Sequence, residues 1–149
     1  MFKITRNGYN KLQEELNHLL TVERPRAVEL LENSRVMGDA DSDDTDFLFA
    51  VEEQDKVENR ISYIGSLIND CEVFEPKDSY DTVEFGATIT LVDCDTDKKL
   101  TYTIVSSIES NPTKGLISIE APIIKDLLGA SIGDYAFFND KEYELISIK

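Results

Sequence analysis

TDFLFAVEEQDKVENRISYIGSLINDC, residues 45–71, carries the strongest periodic signal in the chain. Positions on one face recur at alternating intervals of three and four residues, and only one of them is polar. They are Phe47, Ala50, Gln54, Val57, Ile61, Ile64, Ile68 and Cys71. This heptad spacing predicts an α-helix with one continuous apolar stripe. At 1.5 Å per residue, the helix would be about 40 Å long.

A second helical stretch precedes this one. Thr5 suits an N-cap, and the helical spacing that follows it is carried by Tyr9, Leu12, Leu16 and Leu19. Pro25 would kink this helix or begin another, after which Val28 and Leu31 continue the apolar face. Two helical stretches joined by a short polar loop predict an antiparallel hairpin over residues 1–75, in which each helix buries its stripe on the other.

The loop between the two helices, GDADSDDTD at residues 38–46, is strongly acidic. Its carboxylates belong to Asp39, Asp41, Asp43, Asp44 and Asp46. Two carboxylates about 4 Å apart repel each other by roughly 1 kcal/mol in water, and by more where solvent is thin. The presence of five mutually repelling carboxylates at the tip of a hairpin therefore has to be explained.

Three interpretations of the acidic tip are open. Asp44 or Thr45 could cap the second helix, although capping uses only one or two acids. A calcium loop of the EF-hand type needs glycine at its sixth position, which here is Asp44 or Asp46. In the third interpretation, the carboxylates form an incomplete Mg²⁺ site whose remaining ligands come from another macromolecule.

From residue 76 onwards the pattern changes to short β-branched segments. Residues 76–82 form a linker rich in Pro, Asp and Ser, and residues 83–149 then form a separate domain. Strands are predicted for ATITLVD (87–93), LTYTIV (100–105), GLISI (115–119), YAFF (135–138) and YELISI (143–148). Tight connections are predicted for DCDTDKK (93–99) and Asn139-Asp140, and a short helix for PIIKDLLG (122–129). The expected fold class is therefore α+β, with an antiparallel helical hairpin followed by an antiparallel sheet and one short helix.

The formal net charge of −15 restricts the partners. It argues against autonomous binding to DNA or RNA, where lysine and arginine supply most of the non-specific affinity, and against anionic membranes. No stretch approaches a membrane span or a secretion signal. Cys71 and Cys94 have no metal-ligand spacing, so we expect both to be buried thiols of a reduced, cytoplasmic protein. His18 is expected to be an ordinary, half-exposed residue.

Three stretches taken together resemble the bacterial GreA/GreB transcript cleavage factors and their anti-cleavage relatives. VERPRAVELLENSRVMGD (22–39) is similar to the family's V-x-R-P…A-R-x-x-G-D. VEFGATITLVDCDTDKKLTYTIV (83–105) is similar to V-x-F-G-A-x-V-x-L-x-D…Y-x-I-V. ISIEAPIIKDLLGASIGD (117–134) is similar to I-S-x-x-S-P-I-A-x-A-L-I-G-K-x-x-G-D. The resemblance spans nearly the whole chain and implies a coiled-coil hairpin followed by an FKBP-like domain.

The resemblance implies a monomeric accessory factor of bacterial RNA polymerase that is not itself an enzyme. Its globular domain would bind the rim of the secondary channel through Glu120, Pro122, Ile123 and Ile124. Its tip would enter the channel, where Asp39 and Asp43 lend catalytic carboxylates for hydrolysis of backtracked RNA. The factor would have no cofactor of its own and would meet the RNA 3′ end only indirectly. Mg²⁺ would be shared with the polymerase through Asp39, Asp41, Asp43 and Asp44, and the tip would be supported by Arg35, Asp46 and Phe47.

The tip departs from the family's cleavage pattern, G-D-L-x-E-N-A-E-Y. Gly38 and Asp39 match its start, but one extra residue precedes Asp44, so the family's glutamate falls on Asp43 or on Ser42. Asp is one methylene shorter than Glu, and catalysis depends on such positions. Two outcomes therefore stay open, namely stimulation of cleavage and inhibition through the same channel. A prolyl isomerase or chaperone module is a remote third, disfavoured because the chain has no Trp for an aromatic pocket.

Overall fold

The computed structural model describes residues 1–37 and 45–149. The described residues form two compact units. One consists of Tyr9–Cys71, and the other combines Met1–Gly8 with Glu72–Lys149. Residues 38–44 lie outside the described part of the chain, so the predicted site residues Asp39, Asp41, Asp43 and Asp44 stay predictions.

The helical unit follows the predicted hairpin. Its helices are α1 (Arg6–His18), α2 (Arg24–Met37) and α3 (Thr45–Asp70), and a π-helical turn over Leu19–Glu23 joins α1 to α2. Thr5 is the N-cap, as predicted, because its Oγ1 accepts the backbone N–H of Gly8 at 3.1 Å. The α3 stripe is also confirmed, since every predicted heptad position is buried or half-buried and Ala50 and Ile64 are fully buried.

The π-helical turn explains how the chain accommodates Pro25. The N–H of Arg24 donates to the carbonyl of Leu19, five residues back, and Pro25 has no N–H to place in the next turn. A π turn takes about one residue more than an α turn, which rotates the following helix. The buried residue after Leu19 is therefore Ala27, at 5% exposure. The prediction that Val28 continues the apolar face is wrong, since Val28 is 38% exposed.

Two ion pairs join the helices of this unit. Arg24 donates through Nε and Nη2 to both carboxylate oxygens of Glu58 on α3, each at 2.9 Å. Arg60 on α3 donates through Nε to Glu15 on α1 at 2.6 Å. Exposed pairs of this kind contribute at most about 1 kcal/mol each. Their contribution is mainly to fix which residues of α3 face α1 and α2.

The range predicted for the helical hairpin, residues 1–75, contains a short strand near each end. Phe2–Thr5 forms strand β1 and Cys71–Phe74 forms strand β2, and the two pair into a small sheet. Ile4 is fully buried, as expected where a strand alternates its side chains between two faces. Cys71, predicted as the last seam position, therefore begins a strand. The predicted burial of both thiols is also wrong, because Cys71 is half-buried and Cys94 is exposed.

The second unit contains a five-stranded sheet and a short helix. The strands are β3 (Thr88–Asp93), β4 (Lys99–Val105), β5 (Leu116–Ser118), β6 (Tyr135–Phe138) and β7 (Lys141–Ile148), and helix α4 spans Pro122–Leu127. The spatial order is β5-β4-β3-β7-β6. Both predicted hairpins are confirmed, and Asn139 and Asp140 have the positive φ angles that a tight hairpin turn requires. One face packs on α4 around Ile89, Leu91, Ile104, Ile124, Leu127 and Leu145.

The sheet is mixed rather than antiparallel throughout. Strands β4 and β5 run parallel, with Thr103 opposite Leu116. Between them, the chain forms two short 3₁₀ turns, Ser107–Glu109 and Pro112–Lys114, which return it to the same end of the sheet. The prediction of a purely antiparallel sheet is therefore wrong at this edge, because a tight hairpin cannot join parallel strands.

Asp93 organises the turn between β3 and β4. Its carboxylate accepts the backbone N–H groups of Asp95 at 2.9 Å and Thr96 at 3.4 Å, and Lys141 Nζ lies 3.6 Å away. The pKa of Asp93 is lowered from its ordinary value of 3.8, chiefly by the bond from Asp95. Because the folded pKa is the lower one, the ionised carboxylate stabilises the fold above pH 3.8, and this contribution is lost as pH falls through the folded pKa.

We therefore expect Asp93→Asn to unfold at a lower urea concentration than the wild-type chain at neutral pH. The difference should narrow as the pH is taken well below 3.8, where the wild-type carboxylate is also neutral. Asp95→Asn, next in the turn but contributing its backbone N–H, is the control and should show a smaller difference. A gap between wild type and Asp93→Asn that stays constant across the pH range would contradict the assignment.

Candidate functional site

The acidic run joins the ends of two helices. Helix α2 ends at Met37 and α3 begins at Thr45, so residues 38–44 connect the C-terminus of one to the N-terminus of the other. Asp46 is exposed in the first turn of α3. A negative side chain is favourable at that position because the helix dipole is positive there.

Arg35 and Phe47 contact each other on either side of the acidic run. The guanidinium carbon of Arg35 lies 5.9 Å from the centroid of the Phe47 ring. This cation–π contact joins the last turn of α2 to the first turn of α3 and is worth about 0.5–1 kcal/mol at an exposed site. Both residues were predicted to support the tip; the structure shows that they contact each other, and their support of the tip stays a prediction. The predicted bracing of the tip carboxylates by Arg35 lies outside the described residues.

The base of the tip also exposes apolar surface that was not predicted from the sequence. Leu48 and Phe49, which follow Phe47 on α3, are 50% and 53% exposed. A helix stripe covers only one side of α3, so its outer face is expected to be polar. Two adjacent, exposed large apolar residues directly after Phe47 are a departure from the expected pattern.

The predicted polymerase-binding residue Glu120 is exposed and held by two serines. Its carboxylate accepts the hydroxyl of Ser107 at 2.9 Å, and its N–H donates to Ser118 Oγ at 3.0 Å. The two serine hydroxyls are themselves 3.0 Å apart. Neither serine was predicted from the sequence, since Ser107 lies in a 3₁₀ turn thirteen residues before Glu120. Together they restrict the orientation of the Glu120 carboxylate.

The other three predicted binding residues separate into one surface residue and two core residues. Pro122 is exposed at the first position of α4. Ile123 and Ile124 are 6% and 0% exposed and pack in the core. These two side chains are therefore not part of an exposed binding surface, because both pack α4 against the sheet.

No group of three or more His, Cys, Asp or Glu side chains in residues 1–37 and 45–149 is arranged to hold a metal ion. Nor does any helix in those ranges combine the length and apolarity needed to cross a bilayer.

Comparison with known proteins matches both halves of the chain. The family model "Transcription elongation factor, N-terminal" matches residues 2–73, and "Transcription elongation factor, GreA/GreB, C-term" matches residues 76–149. Transcription elongation factor GreA of Nautilia profundicola is 39% identical over 132 residues, covering 88% of this chain and 81% of the relative. GreA of Helicobacter hepaticus is 37% identical over 150 residues, covering 97% and 91%.

Among solved structures, GreA factor homolog 1 (Gfh1) of Thermus thermophilus is similar at 24% identity. The TM-score is 0.46, and the match covers 99% of this chain and 98% of that one.

Proposed function

Because this chain belongs to the GreA/GreB family of transcription elongation factors, we propose that it binds bacterial RNA polymerase at the secondary channel and stimulates cleavage of backtracked RNA. The observation that carries the proposal is the aspartate-rich run placed between the ends of α2 and α3. In this role the factor supplies carboxylates, and the polymerase performs the hydrolysis.

The tip residues have two tasks in the proposed mechanism. Asp39 and Asp43 hold negative charge at the polymerase active centre and accept hydrogen bonds from the attacking water, which orients it. Arg35 and Phe47 hold the two helix ends together, so that the loop between them starts from a fixed base. A carboxylate displaced by about 1 Å can reduce catalysis a hundredfold, so a rigid base is useful.

The donor set of the tip fits Mg²⁺. Asp39, Asp41, Asp43 and Asp44 present only carboxylate oxygens, the hard ligands that Mg²⁺ prefers, and the polymerase and RNA would supply the others. When bound, such an ion stabilises charge on the attacking and leaving oxygens. The crowded charge of the tip is thereby compensated only in the complex.

The experiment that tests the proposal uses stalled, backtracked complexes of bacterial RNA polymerase. Purified factor is added over a range of Mg²⁺ concentrations and pH, and RNA length is followed with time. We expect faster shortening from the 3′ end than in polymerase alone. No acceleration under any of these conditions would reject cleavage stimulation.

Inhibition is the second candidate function, and the extra residue in the tip favours it. The insertion places either Asp43 or Ser42 where the family pattern has glutamate, so a catalytic carboxylate could be shorter or absent. A factor that enters the channel without a correctly placed carboxylate would block it. In that case, added factor slows nucleotide addition and raises the apparent KM for nucleotide, and RNA shortening does not increase.

We further propose that Glu120 and Pro122 form part of the surface that binds the polymerase. Glu120→Gln should weaken binding about 3- to 10-fold, the effect expected for one exposed charge-assisted contact, without changing the unfolding midpoint. The measurement is competition against labelled wild-type factor for polymerase. Glu72→Gln, an exposed glutamate in β2, is the matched control. Equal losses in both variants would indicate a general charge effect and would contradict a specific role for Glu120.

A further inference from the structure

Strand β6 forms an open edge of the five-stranded sheet. It pairs with β7 on one side and is last in the strand order. Tyr135 and Phe137 point to the same face and are 54% and 67% exposed, whereas Ala136 between them is buried. Soluble proteins usually protect such edges with charge, proline or a covering segment. An edge with two exposed aromatic rings is therefore an unusual surface.

The backbone of β6 is oriented to accept another strand. Phe137 lies opposite Glu142 on β7, and the carbonyl of Glu142 accepts the N–H of Cys94, which follows β3, at 3.0 Å. In an antiparallel sheet, the N–H and C=O of one residue point to the same neighbour, so Glu142 does not bond to β6. Phe137 therefore turns its own N–H and C=O to the open edge, and Tyr135, two residues earlier, does the same.

The face beside the two rings is acidic. Glu144 and Glu142 lie opposite Tyr135 and Phe137 in register, so their carboxylates are on the same face, one strand behind the rings. These two glutamates also help to raise the pKa of the Cys94 thiol, after the larger contribution of its desolvation. A basic residue, Lys99, lies on this face, but it is on β4, further from the edge. A partner strand at this edge would meet aromatic rings first and carboxylates next.

We propose that the open edge of β6 binds an extended basic segment of another protein, which adds to the sheet as a further strand and places Arg or Lys side chains over the rings of Tyr135 and Phe137. Backbone bonds to the edge supply affinity, as in other cases of strand addition. Cations over the rings gain cation–π contacts, and their long stems reach the carboxylates of Glu142 and Glu144. This site is separate from the proposed polymerase chemistry and depends on neither the tip nor Glu120.

The charge also argues against a second copy of this chain at the edge. A second copy would bring the same two glutamates to the same face, in a chain with a net charge of −15. In such a dimer the glutamates of the two copies would lie three strand spacings apart, about 14 Å, so the repulsion comes from the net negative charge of each copy rather than from direct pairs. A basic partner has the opposite effect.

The test uses the full-length chain and the synthetic peptide acetyl-RVRVRV-amide, in which arginine and valine alternate. We expect binding in about 0.15 M salt, where general attraction is screened beyond about 8 Å. Hydrogen exchange at the amides of Tyr135 and Phe137 should slow by about tenfold or more when the peptide is bound, because those groups gain partners. Unchanged exchange at both amides would overturn the proposal.

Two modified peptides separate strand addition from simple charge attraction. One carries N-methyl groups on the backbone nitrogens of its arginines, and the other carries them on the backbone nitrogens of its valines. An added strand bonds to the edge through alternate residues only, so only one of the two peptides should lose binding. Equal binding of both peptides, or equal loss, would contradict an added strand.

Variants of the protein test the rings. Tyr135→Thr with Phe137→Thr replaces both rings with a β-branched residue that also favours strands, and should weaken peptide binding about tenfold, by removing two cation–π contacts. Tyr63→Gln, which removes an exposed ring from α3, is the control and should leave binding unchanged. Unaltered affinity in the double variant would overturn the proposal, and so would a concentration-dependent dimer that protects the same amides without peptide. If the double variant does not fold, the methylated peptides decide the question on the wild-type chain.

Discussion

Replacing Asp39 and Asp43 together by asparagine should reduce stimulated RNA cleavage at least about 100-fold while leaving polymerase binding unchanged. Asparagine keeps the shape of aspartate but removes the charge that holds a cation and orients the water. Losing one group that stabilises a transition state typically costs 10²–10³ in rate, and two-metal hydrolysis depends on such ligands. The measurement is the rate of RNA shortening in backtracked complexes at saturating factor.

The control for this experiment changes the same amount of charge away from the tip. Glu52→Gln with Asp55→Asn removes two exposed carboxylates from α3 and should cleave at the wild-type rate. Competition with wild-type factor shows whether either variant still binds. Full cleavage by the Asp39/Asp43 variant would refute the assignment of the catalytic carboxylates.

A pair of single variants resolves the ambiguity that the extra tip residue creates. If Asp43 takes the place of the family's glutamate, Asp43→Asn should lose cleavage and Ser42→Ala should not. If Ser42 occupies that place, Asp43→Asn should have only a small effect on RNA cleavage. In that second case the chain lacks one catalytic carboxylate, and slower nucleotide addition is the expected activity.

The features predicted correctly from sequence are those encoded within one local segment. The α3 stripe follows from the periodicity of a single helix, and the turn at Asn139 and Asp140 follows from residues that tolerate positive φ. The β1–β2 pair could not be predicted in this way. Each strand has only four residues, and their pairing depends on a partner at the far end of the hairpin sequence. The parallel direction of β5 likewise could not be predicted locally, because it depends on the path of the chain between β4 and β5.

In the candidate site, too, the features that local sequence predicts differ from those that depend on distant residues. Arg35 and Phe47 could be named from their positions beside the acidic run, but their contact depends on the register of α2 against α3. The Arg24–Glu58 ion pair reports the same antiparallel register. A local signal for the core side chains of α4 was nevertheless present. Ile123 and Leu127 are four residues apart, the spacing of a buried helix face.

Gly86→Ala should destabilise the second unit by about 3 kcal/mol or more, the largest effect expected from adding one methyl group. Gly86 has φ +89°, a conformation that costs an L-residue roughly 1–2 kcal/mol. A Cβ there would lie 3.0 Å from Tyr80 Oη and closer still to the Phe74 ring, and overpacking typically adds 1–3 kcal/mol. The site cannot relax easily, because Gly86 N–H is bonded to the carbonyl of Ile104 at 3.0 Å.

Gly65→Ala is the matched control, because it adds the same methyl group to the other unit. Gly65 lies inside α3, and a Cβ there would meet nothing within 4 Å. Alanine is favoured over glycine in a helix interior by about 1 kcal/mol, so this variant should be more stable than the wild-type chain. Urea unfolding followed through amide NMR signals of β3 and β4 for one variant, and of α3 for the other, measures both effects. Unchanged stability of the Gly86→Ala variant would mean that neither the φ angle nor the Phe74 contact restricts this position to glycine.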